Sequence, residues 1–233
     1  DDETKPQPAV QKATKLISEG SHMIFGALSS ASTLAIMNVT KQRKIPHLVT
    51  ISADDKITVP GGSRYTFRTS NNLDMENRMA LVYMQEKKLK RIYAVTADYQ
   101  ATRDGYTWIK SQLDANGIQA VGEDFPPFGN RDYSSIIDKI AKSNADGVLL
   151  MMTGSDVVTF LKQAGQVNLG KTKVLFGPVA ADDTMVAAVG PAAVGVNSGQ
   201  RYHYTVENAA NQKFVEAYRK KFGMFPSMTA GEA

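Results

Sequence analysis

The residues able to do chemistry in this chain gather in short loops that join strand-like segments to helix-like ones. They read Gly26-Ala27-Leu28-Ser29-Ser30-Ala31-Ser32-Thr33, Thr50-Ile51-Ser52-Ala53-Asp54-Asp55, Thr96-Ala97-Asp98-Tyr99-Gln100, Met152-Thr153-Gly154-Ser155-Asp156 and Gly177-Pro178-Val179-Ala180-Ala181-Asp182. All are rich in small and hydroxyl residues, and each leads towards a helix. Ser29 and Ser30 are the best anion site, because a helix N-terminus offers unpaired N–H groups and a partial positive charge. The same hydroxyls serve equally as plain helix caps. Ser52 and Ala53 can supply a second hydroxyl and free amides. Asp54 and Asp55 fit acid–base work or a metal, and more commonly cap a turn. Asp98 and Tyr99 can orient a polar group and cover an apolar one, or act as a cap and a partly buried ring. Thr153, with Ser155 and Asp156, reads locally as a helix cap.

No catalytic set is complete. An enzyme on this scaffold would draw on Asp54, Asp55, Asp98 and Asp182, without a recognisable base, nucleophile or metal constellation beside them. The three histidines, His22, His47 and His203, lie far apart, and the first two flank strand-like segments, as structural histidines do. There is no Gly-x-Ser-x-Gly elbow, Walker phosphate loop or His-Glu-x-x-His motif. Pro60-Gly61-Gly62 is a turn signal, and Trp108 sits within a helical pattern that suits packing. With no cysteine, disulfides, thiolate metal sites and a cysteine nucleophile are excluded. No cofactor or metal is expected.

The elements that must position these loops alternate along the chain. Helical periodicity covers residues 8–19, 31–42, 74–88, 104–115, 133–143, 155–167, 182–189 and 208–222. Strand-like runs cover 22–28, 46–51, 91–97, 118–124, 147–152 and 173–177, with a further strand ending at Phe67-Arg68-Thr69 and an extended segment over 196–204. Gly147-Val148-Leu149-Leu150-Met151-Met152 is a near-continuous apolar run, as a central parallel strand requires. The repeated strand–helix–strand order predicts an α/β fold with parallel sheets, in which ligands bind beyond the carboxyl ends of the strands.

The chain has 233 residues, 42% hydrophobic and 21% charged, enough for two α/β lobes of about 100 residues each. The expected division is 1–71 for a partial N-terminal lobe, 72–199 for a C-terminal lobe, and 200–233 for a crossover returning to the first. The net charge is +4, with basic clusters at Lys87-Lys88-Leu89-Lys90-Arg91 and Arg219-Lys220-Lys221 at helix ends, where cations suit the helix dipole. Aromatics are not interleaved with them, so no nucleic-acid partner is expected. No run approaches the ~20 apolar residues of a membrane helix. The first lobe holds too few strands for a doubly wound sheet, and the pattern predicts a fragment of a longer chain.

The loops, taken in order, resemble the branched-chain amino-acid-binding family of type I periplasmic binding proteins of ABC transporters. The resemblance runs through Asp2-Glu3-Thr4-Lys5-Pro6, Gly26 to Thr33, Ser52-Ala53-Asp54-Asp55-Lys56-Ile57-Thr58, Tyr65-Thr66-Phe67-Arg68-Thr69, Ala97-Asp98-Tyr99, Gly154-Ser155-Asp156 with Gln163-Ala164, Gly177-Pro178, and the helix over 213–223. It implies a two-lobed fold lacking here the first strand and helix and the C-terminal helices. It also implies a monomer in the periplasm or outside the cell, with its signal peptide removed, that holds a small molecule in the cleft between its lobes and hands it to a membrane permease. Through it, Ser30 is expected to bond a ligand carboxylate, and Ser52-Ala53-Asp54 to give backbone contacts, with Asp54 where the family carries a hydroxyl. Val179 stands where amino-acid binders place an acidic residue for the ammonium group, and Thr153 where they often have tyrosine. The ligand implied is an amino acid or an aromatic or other organic carboxylate. The alternative is a ligand-sensing domain of a receptor or regulator with this fold.

Overall fold

The computed structural model describes residues 1–58, 62–152, 154–178 and 180–232. The chain divides into two compact units. Unit 1 comprises Asp1–Leu73 and Arg201–Ala233, and unit 2 comprises Asp74–Gln200. Each is a parallel sheet with helices packed on it, the α/β class expected.

Unit 1 begins with helix α1 (Pro6–Ser18), which carries proline in its first turn, where the missing N–H costs nothing. Strand β1 (Ile24–Phe25), helix α2 (Ser30–Arg43), strand β2 (His47–Val49) and strand β3 (Thr66–Arg68) follow. The strands pair in the order β1-β2-β3, all parallel. Ala9 and Ala13 of α1 bury against Ile36 of α2 and Ile24 of β1, and Met37 of α2 packs with Val49 and Ile57. The opposite face is different. Phe25, Leu48 and Phe67 are direct cross-strand partners, yet Phe25 is 65% and Phe67 56% exposed. The strand expected over 22–28 therefore shrinks to two residues, with Met23, Phe25 and Leu28 open to solvent rather than buried. Gly26, at φ 100°, ends it.

After the return, helices α8 (Ala209–Phe222) and α9 (Met228–Glu232) complete unit 1. Asn208 caps α8 by accepting from Asn211 N, and Gly223, in the left-handed region, ends it. The aromatic stripe of α8 does not enter a core. Phe214, Tyr218 and Phe222 meet one another as tilted rings at centroid distances of 5.8 and 4.5 Å, and of the described α8 residues only Asn211 is buried.

Unit 2 runs α3 (Leu73–Glu86), β4 (Arg91–Thr96), α4 (Gln100–Leu113), β5 (Gln119–Asp124), α5 (Ser134–Lys142), β6 (Gly147–Met151), α6 (Ser155–Gln166), β7 (Val174–Pro178), α7 (Asp183–Val189) and β8 (Asn197–Gly199). The five-stranded parallel sheet has the order β5-β4-β6-β7-β8. Alternate residues of its central strands feed two cores. Tyr93, Val95, Val148 and Leu150 join Ile136, Ile137, Ile140, Val157, Phe160 and Leu161. On the other face Ile92, Ala94, Leu149 and Met151 join Ala80, Met84, Tyr106, Ile109 and Leu113. Both faces are thus covered, which is why β6 reads as an unbroken apolar run. The extended segment expected over 196–204 is a strand only at β8. Among the described residues, no helix is long and apolar enough to cross a membrane.

The order β5-β4-β6 places a switch point in unit 2. The chain leaves β4 towards one edge and returns on its other side. Ligands favour the crevice beyond the strand ends at such a point, and the loops after β4 and β6 lie there.

Candidate ligand-binding site

In unit 1 two strand-end loops are knitted together by side-chain bonds to main-chain carbonyls. Gly26 leaves β1, its N–H donating to Leu48 O at 3.0 Å, and its carbonyl accepts from His47 Nε2. The Ser52 hydroxyl, buried, reaches Ala27 O at 2.7 Å and Leu28 O at 3.0 Å, with Thr33 Oγ1 2.6 Å away. Thr33 Oγ1 also reaches Ala27 O, at 3.3 Å, so the two hydroxyls and the two carbonyls form one local network. Ser29 then occupies the N-cap position of α2, but its side chain makes no capping bond. The first amides of α2 therefore lack a side-chain cap, and they carry the positive end of the helix dipole.

Ser30 is joined to the second loop. Its Oγ accepts from Asp54 N at 3.3 Å. A hydroxyl that accepts there keeps its own proton for another acceptor. The Asp54 carboxylate accepts from Lys56 N at 2.8 Å and caps the 3-10 turn Asp55–Ile57. Its carbonyl accepts from Arg68 Nη1 at 2.9 Å, while Arg68 Nη2 donates to Thr58 Oγ1 at 2.6 Å. Arg201 Nη1 donates to Ile51 O at 3.1 Å and lies 3.5 Å from Glu232 Oε1. Burial lowers the pKa of Arg68, with the Asp55 and Asp54 carboxylates pulling it up and the Arg201 guanidinium pushing it down. Buried Ala53 accepts from Leu73 N through its carbonyl at 2.9 Å. Ser52 and Ala53 are thus turned inward as scaffold, and Ser29 and Ser30 remain half-buried at the surface of the loop.

In unit 2 Asp98 follows β4 and pairs with Arg103 Nε at 2.5 Å, which holds its carboxyl below the usual range. The Arg103 guanidinium also lies over Phe125, 4.3 Å from the ring centroid. Tyr99 is 42% and Phe128 70% exposed, and the two rings meet edge to face at 6.2 Å. Burial raises the pKa of Tyr99, and the Glu76 and Asp156 carboxylates add to this. Asp156 does not cap its own helix, contrary to the local reading of its loop. Buried at the start of α6, it accepts from Gly129 N through both oxygens, at 3.0 and 3.1 Å. Gln163 of the same helix accepts from Tyr133 N at 2.7 Å and donates to Arg131 O at 2.9 Å. Together they pin the segment that presents Phe128.

Thr153 and Val179 lie outside the described residues, as do Pro60 and Gly61 of the expected turn. Asp182 caps α7, its Oδ1 accepting from Thr184 N and Met185 N at 2.9 Å each. Asp54, Asp98 and Asp182 are therefore each committed to a cap or an ion pair. Among the described residues no group of His, Asp and Glu is placed to hold a metal ion. Unit 2 also contains a cavity of about 310 Å³ beside β7 and β8, lined in part by Met79, Tyr83, Phe176, Pro178 and Ser198.

Sequence reasoning missed His47, Arg68, Arg201 and Phe128 as site residues. Arg68 and Arg201 reach their carbonyls from 14 and 150 residues away, a distance over which no local pattern speaks. Phe128 gave a signal, an aromatic between Pro127 and Gly129 in a loop.

Comparison with known proteins places these loops in a family. The family description "Periplasmic binding protein" matches residues 1–233. A curated relative, Leu/Ile/Val-binding protein homolog 6 of Brucella melitensis, is 26% identical over 98% of this chain and 61% of its own length. A solute-binding protein of an ABC transporter from R. palustris, solved in complex with benzoate, is 28% identical with a TM-score of 0.87, covering 99% of this chain and 64% of the other. Another, from Rhodopseudomonas palustris BisB5, was solved with 3,4-dihydroxybenzoic acid, at 26% identity and a TM-score of 0.85, covering 99% and 64%. The chain thus spans less than two thirds of the length of these relatives. These proteins bind substrates and are not enzymes. The match runs the whole length of the 233 residues, and the chain belongs to the periplasmic binding protein family, with the Leu/Ile/Val-binding proteins among its relatives.

Proposed function

We propose that this chain is the ligand-binding part of a periplasmic solute-binding protein of an ABC importer, and that its ligand is a small carboxylate, an aromatic acid in preference to an amino acid. The observation that carries the reading is Ser30. Its Oγ accepts from Asp54 N, so its proton is free to donate at the uncapped N-terminus of α2, where a carboxylate meets both a hydroxyl and the helix dipole. The Asp54 side chain is turned to Lys56 N, which lessens its repulsion of such a ligand.

The aromatic preference rests on unit 2. The exposed rings of Tyr99 and Phe128 offer an edge-to-face surface on which a further ring stacks. Two related solute-binding proteins were solved with benzoate and 3,4-dihydroxybenzoic acid. Val179, in the position where the family resemblance calls for an acid to hold an ammonium, agrees with a ligand that has none. The membrane permease of the importer is the proposed protein partner.

Calorimetric titration of the full-length protein with benzoate, 3,4-dihydroxybenzoate and leucine tests this. Saturable binding of an aromatic acid without turnover is the expected result. Ser30→Ala should then weaken it by about 10- to 100-fold, as loss of a hydrogen bond to a charged group does. Binding of leucine alone overturns the aromatic preference. Unchanged affinity in Ser30→Ala removes Ser30 from the site.

A further inference from the structure

The loop that carries Ser29 and Ser30 is held by its carbonyls, and the first of these is held by an imidazole. His47 opens β2, the middle strand of unit 1, paired with Ile24 on one side and Thr66 on the other. Its side chain is fully buried. Nε2 meets the carbonyl oxygen of Gly26, and since a carbonyl only accepts, Nε2 must carry a proton. Nδ1 has no hydrogen-bond partner among the described residues, and the same holds for the buried hydroxyl of Thr66, its cross-strand neighbour.

Gly26 is the pivot between β1 and the loop. Its φ of 100° lies in the left-handed region, so this peptide turns the chain off the strand. β2 grips the residue at both ends, Leu48 O taking its N–H and His47 taking its carbonyl. The next two carbonyls, of Ala27 and Leu28, lie within reach of the Ser52 hydroxyl, and Thr33 Oγ1 also reaches that of Ala27. Three successive carbonyls therefore face side-chain donors, and Ser29 and Ser30 come directly after them. An aliphatic side chain would fill the space of the imidazole but leave the half-buried Gly26 carbonyl without that donor.

We infer that His47 is a positioning residue for the anion-binding loop, acting through its Nε2–H on the Gly26 carbonyl to fix where Ser29 and Ser30 stand. This rests on the carboxylate-binding reading of that loop. It makes the donor at Nε2, rather than the bulk of the ring, the property that matters.

Two amide side chains separate donor from bulk. In His47→Gln the side-chain N–H₂ reaches the place of Nε2, and in His47→Asn only that of Nδ1. On the full-length protein, His47→Gln is expected to keep benzoate affinity within about threefold of the parent, and His47→Asn to lose about tenfold or more. Amide hydrogen exchange gives a readout independent of any ligand. Gly26 and Thr33, whose N–H groups bond Leu48 O and Ser29 O, should exchange faster in His47→Asn and at parental rates in His47→Gln. Amides of β4 and β6 should be unchanged in both. Equal exchange at Gly26 and Thr33 in the two variants, whether parental or faster, overturns the role of the donor. If the parent binds no carboxylate, the binding reading fails, and the exchange comparison still decides whether His47 sets the loop.

Discussion

Within these 233 residues the two units are held by different means. In unit 2 a five-stranded sheet is covered on both faces, and its central strands are buried throughout. In unit 1 a three-stranded sheet is covered on one face, while Phe25 and Phe67 stand open on the other. All-parallel sheets occur almost only with both faces packed, so within these 233 residues unit 1 draws less on apolar burial. Its strand-end loops are held instead by hydrogen bonds from His47, Ser52, Arg68 and Arg201 to carbonyls. The difference teaches where each kind of damage falls. Packing mutations threaten unit 2, and loss of single donors threatens the loops of unit 1.

The largest expected effect is on packing. Leu150 of β6 is fully buried, and Leu150→Ala should cost about 2–5 kcal/mol, the transfer term plus the cavity. Phe67→Ala removes more carbon from an open face and should cost well under that. Urea denaturation of both variants of the 233-residue chain checks the ratio. Equal losses would mean that Phe67 is covered in solution, and the contrast between the units would fall.

Next come the polar anchors, one in each unit. Asp156→Ala leaves Gly129 N–H without its carboxylate, and Ser52→Ala leaves the Leu28 carbonyl without its hydroxyl and the Ala27 carbonyl with Thr33 Oγ1 alone. Each should cost about 1–3 kcal/mol. Their local consequences should differ. Exchange should quicken around Gly129 in the first and around Thr33 in the second, without spreading across units. If Ser52→Ala instead loosens β4 or β6, the loops of unit 1 are not independent of the core of unit 2.

How much of this was legible in the sequence follows the same contrast. The helix α5 was plain from Ile136, Ile137 and Ile140, all now buried, and β6 from its unbroken apolar run, because unit 2 is built by burial and burial leaves periodicity. The start of α4 was not. It begins at Gln100 instead of near residue 104, since its N-cap residue is Tyr99, which makes no capping bond and so gives no signal of the usual kind. In unit 1 the strand over 22–28 was overextended, because apolar residues that face solvent look in sequence like core. The loops after the strands were recognisable from their small and hydroxyl residues. The Ser30–Asp54 contact and the guanidinium and imidazole grips were not, since they join residues 14 to 150 positions apart.

A smaller effect separates the units by pH. Burial pushes His47 below the ordinary imidazole range, and its Gly26 partner opposes this to a lesser degree. The unfolded chain then takes up a proton before the folded one does. The stability at stake is fully present above about pH 6.5 and is lost as acidity increases from there towards the folded value, with a slope of at most about 1.4 kcal/mol per pH unit. His47→Gln should flatten that acid limb in urea titrations between about pH 8 and pH 5. An unchanged limb would assign the pH dependence to other groups.

The smallest expected effect concerns Asp98, and it sharpens the comparison where stability no longer speaks. Its ion pair with Arg103 is exposed on both sides, and exposed pairs are screened by water and salt. Asp98→Asn should therefore shift the unfolding midpoint less than any substitution above. Binding is the more telling measurement. The Asp98 carboxylate is committed to Arg103, so a carboxylate ligand should bind Asp98→Asn as well as it binds the parent. Tighter binding would show that Asp98 repels the ligand from close by. Weaker binding at unchanged stability would show that Asp98 holds a cationic group, and the ammonium that an amino acid carries would then displace the aromatic acid as the better candidate.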